Sequence, residues 1–354
     1  MNRLTRYLVA HILGFTAIVG LALVAIYTFI SFVAEMDETG QGGFGVAELL
    51  YYSLMMMPAG LYTLMPIIAL LGTLMGLGAL ASQNELTAMR AAGFTLLRLG
   101  QATLVAGLLL GGLALLLGDV LAPAGTAAAQ RYKSEARSGE PAGLATRPIW
   151  LRDGDDVVHI GRLLSENEAE NLELYQLTPG LGLYGLLRAD RAEFRDQRWW
   201  LHGVSRTRFT EDRIEADRVA DLQWEGQLTP EVLRLFVLEA GSLNTPGLMR
   251  LIGYLDANGL DAGSYRLSLW RKLMAPLTVM TMMLFAVPFV LGSQRGSGAG
   301  QRLLIGILVG LAFYVVNEVS ASLGQLYGWP PLAAAGLPTA VLALLALVRL
   351  QRAR

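Results

Sequence analysis

Few residues in this chain have the type and spacing that covalent chemistry needs. Cysteine is absent, which removes thiol catalysis, disulfides and cysteine-held metals. The histidines His11, His159 and His202 lie far apart, so no histidine-rich metal site is expected. Ser205, His202 and Asp221 are the residue types of a hydrolase triad, but no nucleophile elbow frames the serine. Asp153, Asp155 and Asp156 share one turn and lack the spacing and glycine of a calcium loop, so a solvated turn is expected. The glycine stretch 292–300, GSQRGSGAG, has no strand before it and reads as a flexible turn. No G-x-x-x-x-G-K-[ST] occurs, and the only lysines, Lys133 and Lys272, follow no such loop. No catalytic set, metal, cofactor or nucleotide site of its own is therefore expected in this chain.

The informative charges lie in or beside apolar runs. Residues 81–94, ASQNELTAMRAAGF, form a short polar helix signal between two such runs. Ser82 or Asn84 can cap its start, Glu85 suits the positive N-terminal end, and Gly93 can end it. Ala81, Glu85 and Met89 share one face at i, i+4 spacing. Such a segment is either a connector or a helix that a groove on a partner ATPase accepts. Glu318, beside Asn317, lies within another apolar run, where an acid must face a partner or a watery cavity. A structural or cavity-lining role suits it better than proton transfer. Arg271 and Lys272 stand at the mouth of a further run. They either snorkel to lipid headgroups or contact the phosphates of a departing anionic lipid.

The elements that position these residues are membrane spans. Hydrophobic residues make up 53% of the 354-residue chain, and mean hydropathy is +0.45, beyond an ordinary soluble protein. Six runs reach the roughly 20 residues that cross a bilayer: 8–34, 47–80, 96–121, 269–291, 303–326 and 330–348. The second contains Pro58 and Pro66 and is expected to tilt or kink. The first is too long for a signal peptide and has no convincing cleavage site. Arg3, Arg6, Arg90, Arg98, Arg295, Arg302, Arg349, Arg352 and Arg354 all fall in the loops or ends of one side, which is then cytoplasmic. Loop 36–46 on the other side carries Asp37 and Glu38 and no basic residue. Both termini and residues 81–94 are thus expected in the cytoplasm. The small-xxx-small pairs Gly72/Gly76, Gly107/Gly111 and Gly306/Gly310 mark close helix packing, within the chain or against a second one.

Residues 123–265 hold 16 Lys and Arg against 22 Asp and Glu, whereas the remainder holds 12 against 7. This polar insert is long enough for its own core and falls outside the cytoplasm. Hairpin signals at Asp153-Gly154 and Asp196-Gln197, with further strands near 172–177 and 219–224, suggest a β-sandwich, a jelly roll or an open barrel. Residues 229–238 and 245–258 read as helices leading back to the membrane. The expected organisation is three spans in 1–122 with a helix at 82–93, a β-rich domain in 123–265, and three spans in 266–354. The fold class is an α-helical polytopic membrane protein with six transmembrane helices and an inserted all-β domain.

The segment SQNELTAMRAAGFT resembles the coupling helix of the LptF/LptG family of lipopolysaccharide-export permeases. LLGTLMGLGA (70–79), DAGSYRLSLWRKLMAP (261–276), FYVV (313–316) and YGWPP (327–331) are similar as well, most closely to the family's G branch. The resemblance runs end to end and implies an inner-membrane ABC-transporter permease with a periplasmic jelly roll. The implied partners are an LptF-like sister permease, an LptB-like ATPase dimer that binds the ATP and Mg, LptC- and LptA-like bridge proteins, and lipopolysaccharide. No nucleic acid is expected. Glu85 becomes the coupling acid, flanked by Asn84, Leu86, Met89 and Arg90. Phe32, Leu64, Phe313 and Tyr314 become contacts for acyl chains, with Glu318 lining the cavity. The family's lysines at the end of the first span are replaced here by a stretch with Ser31, Asp37 and Glu38. Phosphate contact then moves to Arg271, Lys272 or Lys133. The rival readings are an ion-coupled secondary transporter using Glu318 and a non-transporting envelope scaffold.

Overall fold

The computed structural model describes residues 3–138, 148–165, 167–178, 182–210, 213–226, 228–237, 240–292 and 299–352. Most of the glycine stretch 292–300, with Arg295, lies outside the described residues, as does Arg354. The chain divides into two units. One comprises 1–39, 49–129 and 266–354, the other 40–48 and 130–265.

The first unit is helical. Its principal elements are α1 (Arg3–Ala34), α2 (Val46–Met55), α3 (Met57–Ser82), α4 (Glu85–Ala91), α5 (Leu96–Leu116) and α6 (Ala122–Ser138), the last running on into the second unit. After the insert come α9 (Gly263–Gly292), α10 (Ala299–Leu326) and α11 (Pro331–Arg352). Among the described residues, six helical segments are long and apolar enough to cross a membrane, as expected. The second apolar run differs from expectation: it is two helices, α2 and α3, broken at Met56, with Pro58 in the first turn of α3. Proline is tolerated there because first-turn N–H groups have no helical acceptor. Pro66 stays inside α3. The third run also differs, because α5 continues through a π-helical segment, Leu117–Leu121, directly into α6.

α3 is the hub. Two-thirds of its apolar window is buried, against 17% for the windows of α1 and α10. The small-residue pairs explain how. A side chain at Gly72 would strike Thr16 of α1, and a Cβ at Gly76 would lie 3.2 Å from Ile12 Cα. Gly306 and Gly310 of α10 lie against Leu71, Leu74 and Ile67 of α3. Gly107 and Gly111 of α5 admit Met280 and Pro276 of α9. All three pairs pack within this chain, which settles the alternative that the sequence left open.

The second unit holds one antiparallel sheet of six strands paired in chain order: β1 (Ile149–Asp153), β2 (Asp156–Ser165), β3 (Glu168–Leu177), β4 (Leu183–Arg195), β5 (Arg198–Phe209) and β6 (Ile214–Trp224). The β-rich insert is as expected. Its described strands follow an up-and-down path rather than a Greek-key one. Both hairpin signals form turns: Gly154 has φ +63°, and Asp196 and Gln197 have φ +53° and +64°. One face of the sheet is apolar and buried, through Val158, Ile160, Leu172, Leu174, Leu187, Trp199 and Leu201. Two helices follow, α7 (Pro230–Val237) and α8 (Thr245–Ala257). α8 is tied to the first hairpin: the Tyr254 hydroxyl donates to Arg152 O at 2.6 Å, and Gly154 N–H donates to Asn258 Oδ1 at 2.8 Å. Burial pushes the Tyr254 hydroxyl well above the usual tyrosine range.

Trp199 is the largest fully buried side chain, and its indole N–H donates to Leu228 O at 2.7 Å. Trp199→Ala should destabilise this unit by about 3–5 kcal/mol. Denaturant unfolding of the full chain, followed by protease sensitivity of the sheet, checks this.

Candidate functional site

The short helix α4 is built to be held rather than to stand alone. Seven residues are too few for an isolated helix in water. Leu86 is 2% exposed, and Met89, Ala81 and Phe94 pack on the main helical core. At the C-terminal end Gly93 takes φ +87°, Phe94 N–H donates to Met89 O at 2.9 Å, and Gly93 N–H donates to Arg90 O at 3.0 Å. This is a Schellman stop. Thr95 Oγ1 then accepts from Arg98 N–H and starts α5.

The N-terminal end differs from expectation. Asn84 sits at the cap position in a left-handed turn, φ +61°, and its side chain makes no capping bond; Ser82 Oγ donates back to Ala79 O. The sharp turn from α3 takes the cap geometry away. The helix is also shorter than the 82–93 expected. Of the residues assigned to partner contact, Leu86 is not available, because it faces the core, and Met89 is half-buried in the same direction. Asn84 and Arg90 are exposed. Glu85 is half-buried, and its Oε2 accepts from the Tyr7 hydroxyl of α1 at 2.9 Å. The apolar face proposed for a groove is thus this chain's own anchor, and the outward face carries Asn84, Thr87, Ala88 and Arg90.

A second group of charges joins α5, α9 and α10. Arg271 donates to Glu318 Oε2 at 2.7 Å, so Glu318 ties α10 to α9. Lys272 is 5% exposed and donates to Gly118 O at 2.5 Å, with Asp119 Oδ1 at 3.6 Å. Neither reading that the sequence left open for Lys272, snorkelling or phosphate contact, matches this arrangement: the ammonium turns in among the helices and is engaged there. The local backbone explains why. In the π-helical register, Ala122 N–H donates to Leu117 O. The next donor in that register would be residue 123, which is proline and has no N–H. The Gly118 carbonyl is left without a backbone partner, and Lys272 supplies one.

The expected acyl-chain residues are dispersed. Leu64 of α3 and Phe32 of α1 are half-buried, Phe313 of α10 packs on the main core, and Tyr314 beside it is 45% exposed. Lys133 lies on α6 in the second unit. There, His202 pairs with Asp221 across β5 and β6, while Ser205 stands opposite Arg188 and Arg218 in the ladders. The triad types are cross-strand neighbours, not a catalytic line. Asp156 accepts from Leu177 N–H, and burial pushes its carboxyl upward. Sequence reasoning missed Tyr7, whose partner is 78 positions away. It also missed Asp119 with Gly118, where the visible signal was a proline five residues after a glycine.

Among the described residues, six helices long and apolar enough to cross a membrane, with a β-sheet insert after the third and a short anchored helix between the second and third, define a polytopic membrane protein. The model of the family "Lipopolysaccharide export system permease LptF/LptG" matches residues 6–352. The chain is 32% identical to the lipopolysaccharide export system permease protein LptG of Escherichia coli (strain K12), covering 93% of this chain and 92% of that one. It is 31% identical to the LptG of Haemophilus influenzae, covering 96% and 95%. The chain belongs to the LptF/LptG family.

Lys272→Met keeps the apolar stem and removes the donor to Gly118. It should cost about 1–3 kcal/mol of stability, read as a lower unfolding temperature in detergent. Adding Pro123→Ala restores an N–H at that register and should recover part of the loss. An unchanged double variant would mean that the Gly118 carbonyl is not the group at stake.

Proposed function

We propose that this chain is the G-type permease of an exporter that takes lipopolysaccharide from the outer leaflet of the inner membrane and passes it to a periplasmic bridge. The observation that carries this is the extent of the likeness: it covers 93% of this chain, spans, short helix and insert alike, against proteins named as lipopolysaccharide export permeases. Both termini and α4 face the cytoplasm, as the one-sided arginines support. The sheet unit lies in the periplasm beside LptC- and LptA-like bridge proteins. An LptF-like sister permease completes the cavity. An LptB-like ATPase dimer binds the ATP and Mg and grips α4.

In this reading Glu85 meets a cation in the ATPase groove, with Asn84 and Arg90 on the outward face beside it. Leu86 and Met89 act from behind, passing the displacement of α4 into α3 and α5. The helices with the least buried faces, α1 and α10, carry Phe32, Phe313, Tyr314 and Glu318, which supports a lipid path along them. Arg271 and Lys133 are the candidates for lipid phosphate, since Lys272 is engaged internally. Arg271 already shares its charge with Glu318, and the end of α1 is acidic. Phosphate contact at this subunit is therefore weaker than at a lysine-rich rim.

Export by the full complex, reconstituted with lipopolysaccharide and ATP, tests the proposal. Glu85→Ala should lower lipopolysaccharide-coupled export roughly ten- to a hundred-fold, the worth of a hydrogen bond to a charged group. Glu318→Gln keeps a hydrogen-bond acceptor for Arg271 and should lower export far less than Glu85→Ala. The reverse pattern would favour the ion-coupled transporter. A photoreactive group at position 314 should form a lipopolysaccharide adduct in the active complex, and its absence there would favour the scaffold.

A further inference from the structure

The carboxylate of Glu85 is not presented by α4 alone. Its Oε2 is held at 2.9 Å by the hydroxyl of Tyr7, from a different helix and 78 residues earlier in the chain. Tyr7 is 44% exposed, but it stands on a turn of α1 that is itself firmly packed. The Tyr7 ring lies 5.8 Å from that of His11, and the His11 ring lies 5.0 Å from that of Phe15. The neighbours Leu8 and Ile12 are fully buried. At Gly76 a Cβ would sit 3.5 Å from both His11 O and Phe15 Cβ, so this turn of α1 rests on the backbone of α3. A glutamate at the first position of a seven-residue helix would otherwise sample many rotamers. The tyrosine removes that freedom by binding one carboxylate oxygen and leaves Oε1 for another donor.

We propose that Tyr7 is a positioning residue for Glu85: it aims the carboxylate of α4 at the cation of the partner ATPase and couples α1 to that contact. This rests on the reading of Glu85 as the coupling acid. The tyrosine neither adds nor removes charge at the contact. It fixes direction, and it makes α1 sense whether Glu85 is engaged, because movement of the carboxylate toward a stronger donor strains or releases the Tyr7 bond.

The test titrates the ATPase onto this chain and its sister permease in nanodiscs, with Tyr7→Phe, Glu85→Gln and the double variant. Tyr7→Phe keeps the ring and its stacking on His11, and unfolding temperature checks that the helices are intact. Tyr7→Phe should weaken ATPase binding about five-fold, the worth of one net hydrogen bond. The salt dependence of binding should stay steep in Tyr7→Phe, since the Glu85 charge remains, and flatten in Glu85→Gln. The double variant should bind no worse than Glu85→Gln. If Tyr7→Phe is silent while Glu85→Gln weakens binding, the positioning role is overturned and the coupling acid stands. If Tyr7→Phe weakens binding equally in the Glu85→Gln background, the tyrosine acts elsewhere and the proposal falls. If Glu85→Gln itself has no effect, the coupling reading fails and takes this proposal with it.

Discussion

Close approach of helix backbones is the constraint on which the membrane unit depends. Lipid tails are as apolar as leucine, so helices in a bilayer gain little by hiding apolar faces from them, and association rests on contact at short range. α3 achieves this with Gly72 and Gly76 toward α1, and it receives Gly306 and Gly310 of α10 against Ile67, Leu71 and Leu74. Gly107 and Gly111 do the same between α5 and α9. Because every one of these glycines is used within the chain, α1 and α10 are each fastened to α3 along one strip. Apart from the contacts of α1 with α5 and of α10 with α9 and α11, much of their surface remains exposed, including Leu21, Phe29 and Ile30 on α1 and Leu308, Leu311 and Val315 on α10. Internal glycine packing leaves these faces exposed without loosening the fold, as the lipid path proposed above requires.

Most buried polar groups inside the described spans follow a second rule, that donors and acceptors find partners within the protein; His11 Nε2 and Thr28 Oγ1 of α1 are buried exceptions. Thr16, Thr73, Thr103 and Thr278 donate to the carbonyl four residues earlier. Ser320 donates to Ala334 O and ties α10 to α11. Lys272 and Gly118 are the extreme case, where a proline creates the vacancy and a lysine from another helix fills it. A charge in a span is commonly a pointer to transport. Here Lys272 and Glu318 each have a specific bond that joins helices, so their positions are explained by architecture before any transport step is invoked.

Much of this was legible in the sequence, for reasons that differ by element. The spans showed because hydropathy needs no partner to be read. The hairpins showed because Asp153-Gly154 and Asp196-Gln197 carry turn chemistry locally. The break at Met56 was hidden, since a proline in a long apolar run signals equally a kink, a new helix or neither. The direction of α4 was hidden for a deeper reason. Ala81, Glu85 and Met89 share a face in any helix, but which way that face turns depends on the core formed by α3, α5 and α9. The periodicity gave the stripe and could not give the side that covers it. Tyr7 and the Gly118 carbonyl were out of reach because their partners are 78 and 154 positions away.

The inward turn of α4's apolar face bears on the coupling role proposed for this helix. A helix held only by its termini would rotate when pressed, and little of the push would reach the spans. α4 is instead wedged by Leu86 into the core shared by α3, α5 and α9, stopped by the Gly93–Phe94 motif, and latched to α1 through Glu85 and Tyr7. Packed interiors transmit displacement because they have no free volume in which to absorb it. A force on the exposed side of α4 therefore reaches α3 through Leu86 and α1 through the carboxylate. α1 leaves most of its surface uncovered, so it can respond with the least disruption of the core. Leu86, which read from the sequence as a docking contact, is thus the anchor through which a push on α4 would enter the core under the proposed coupling role.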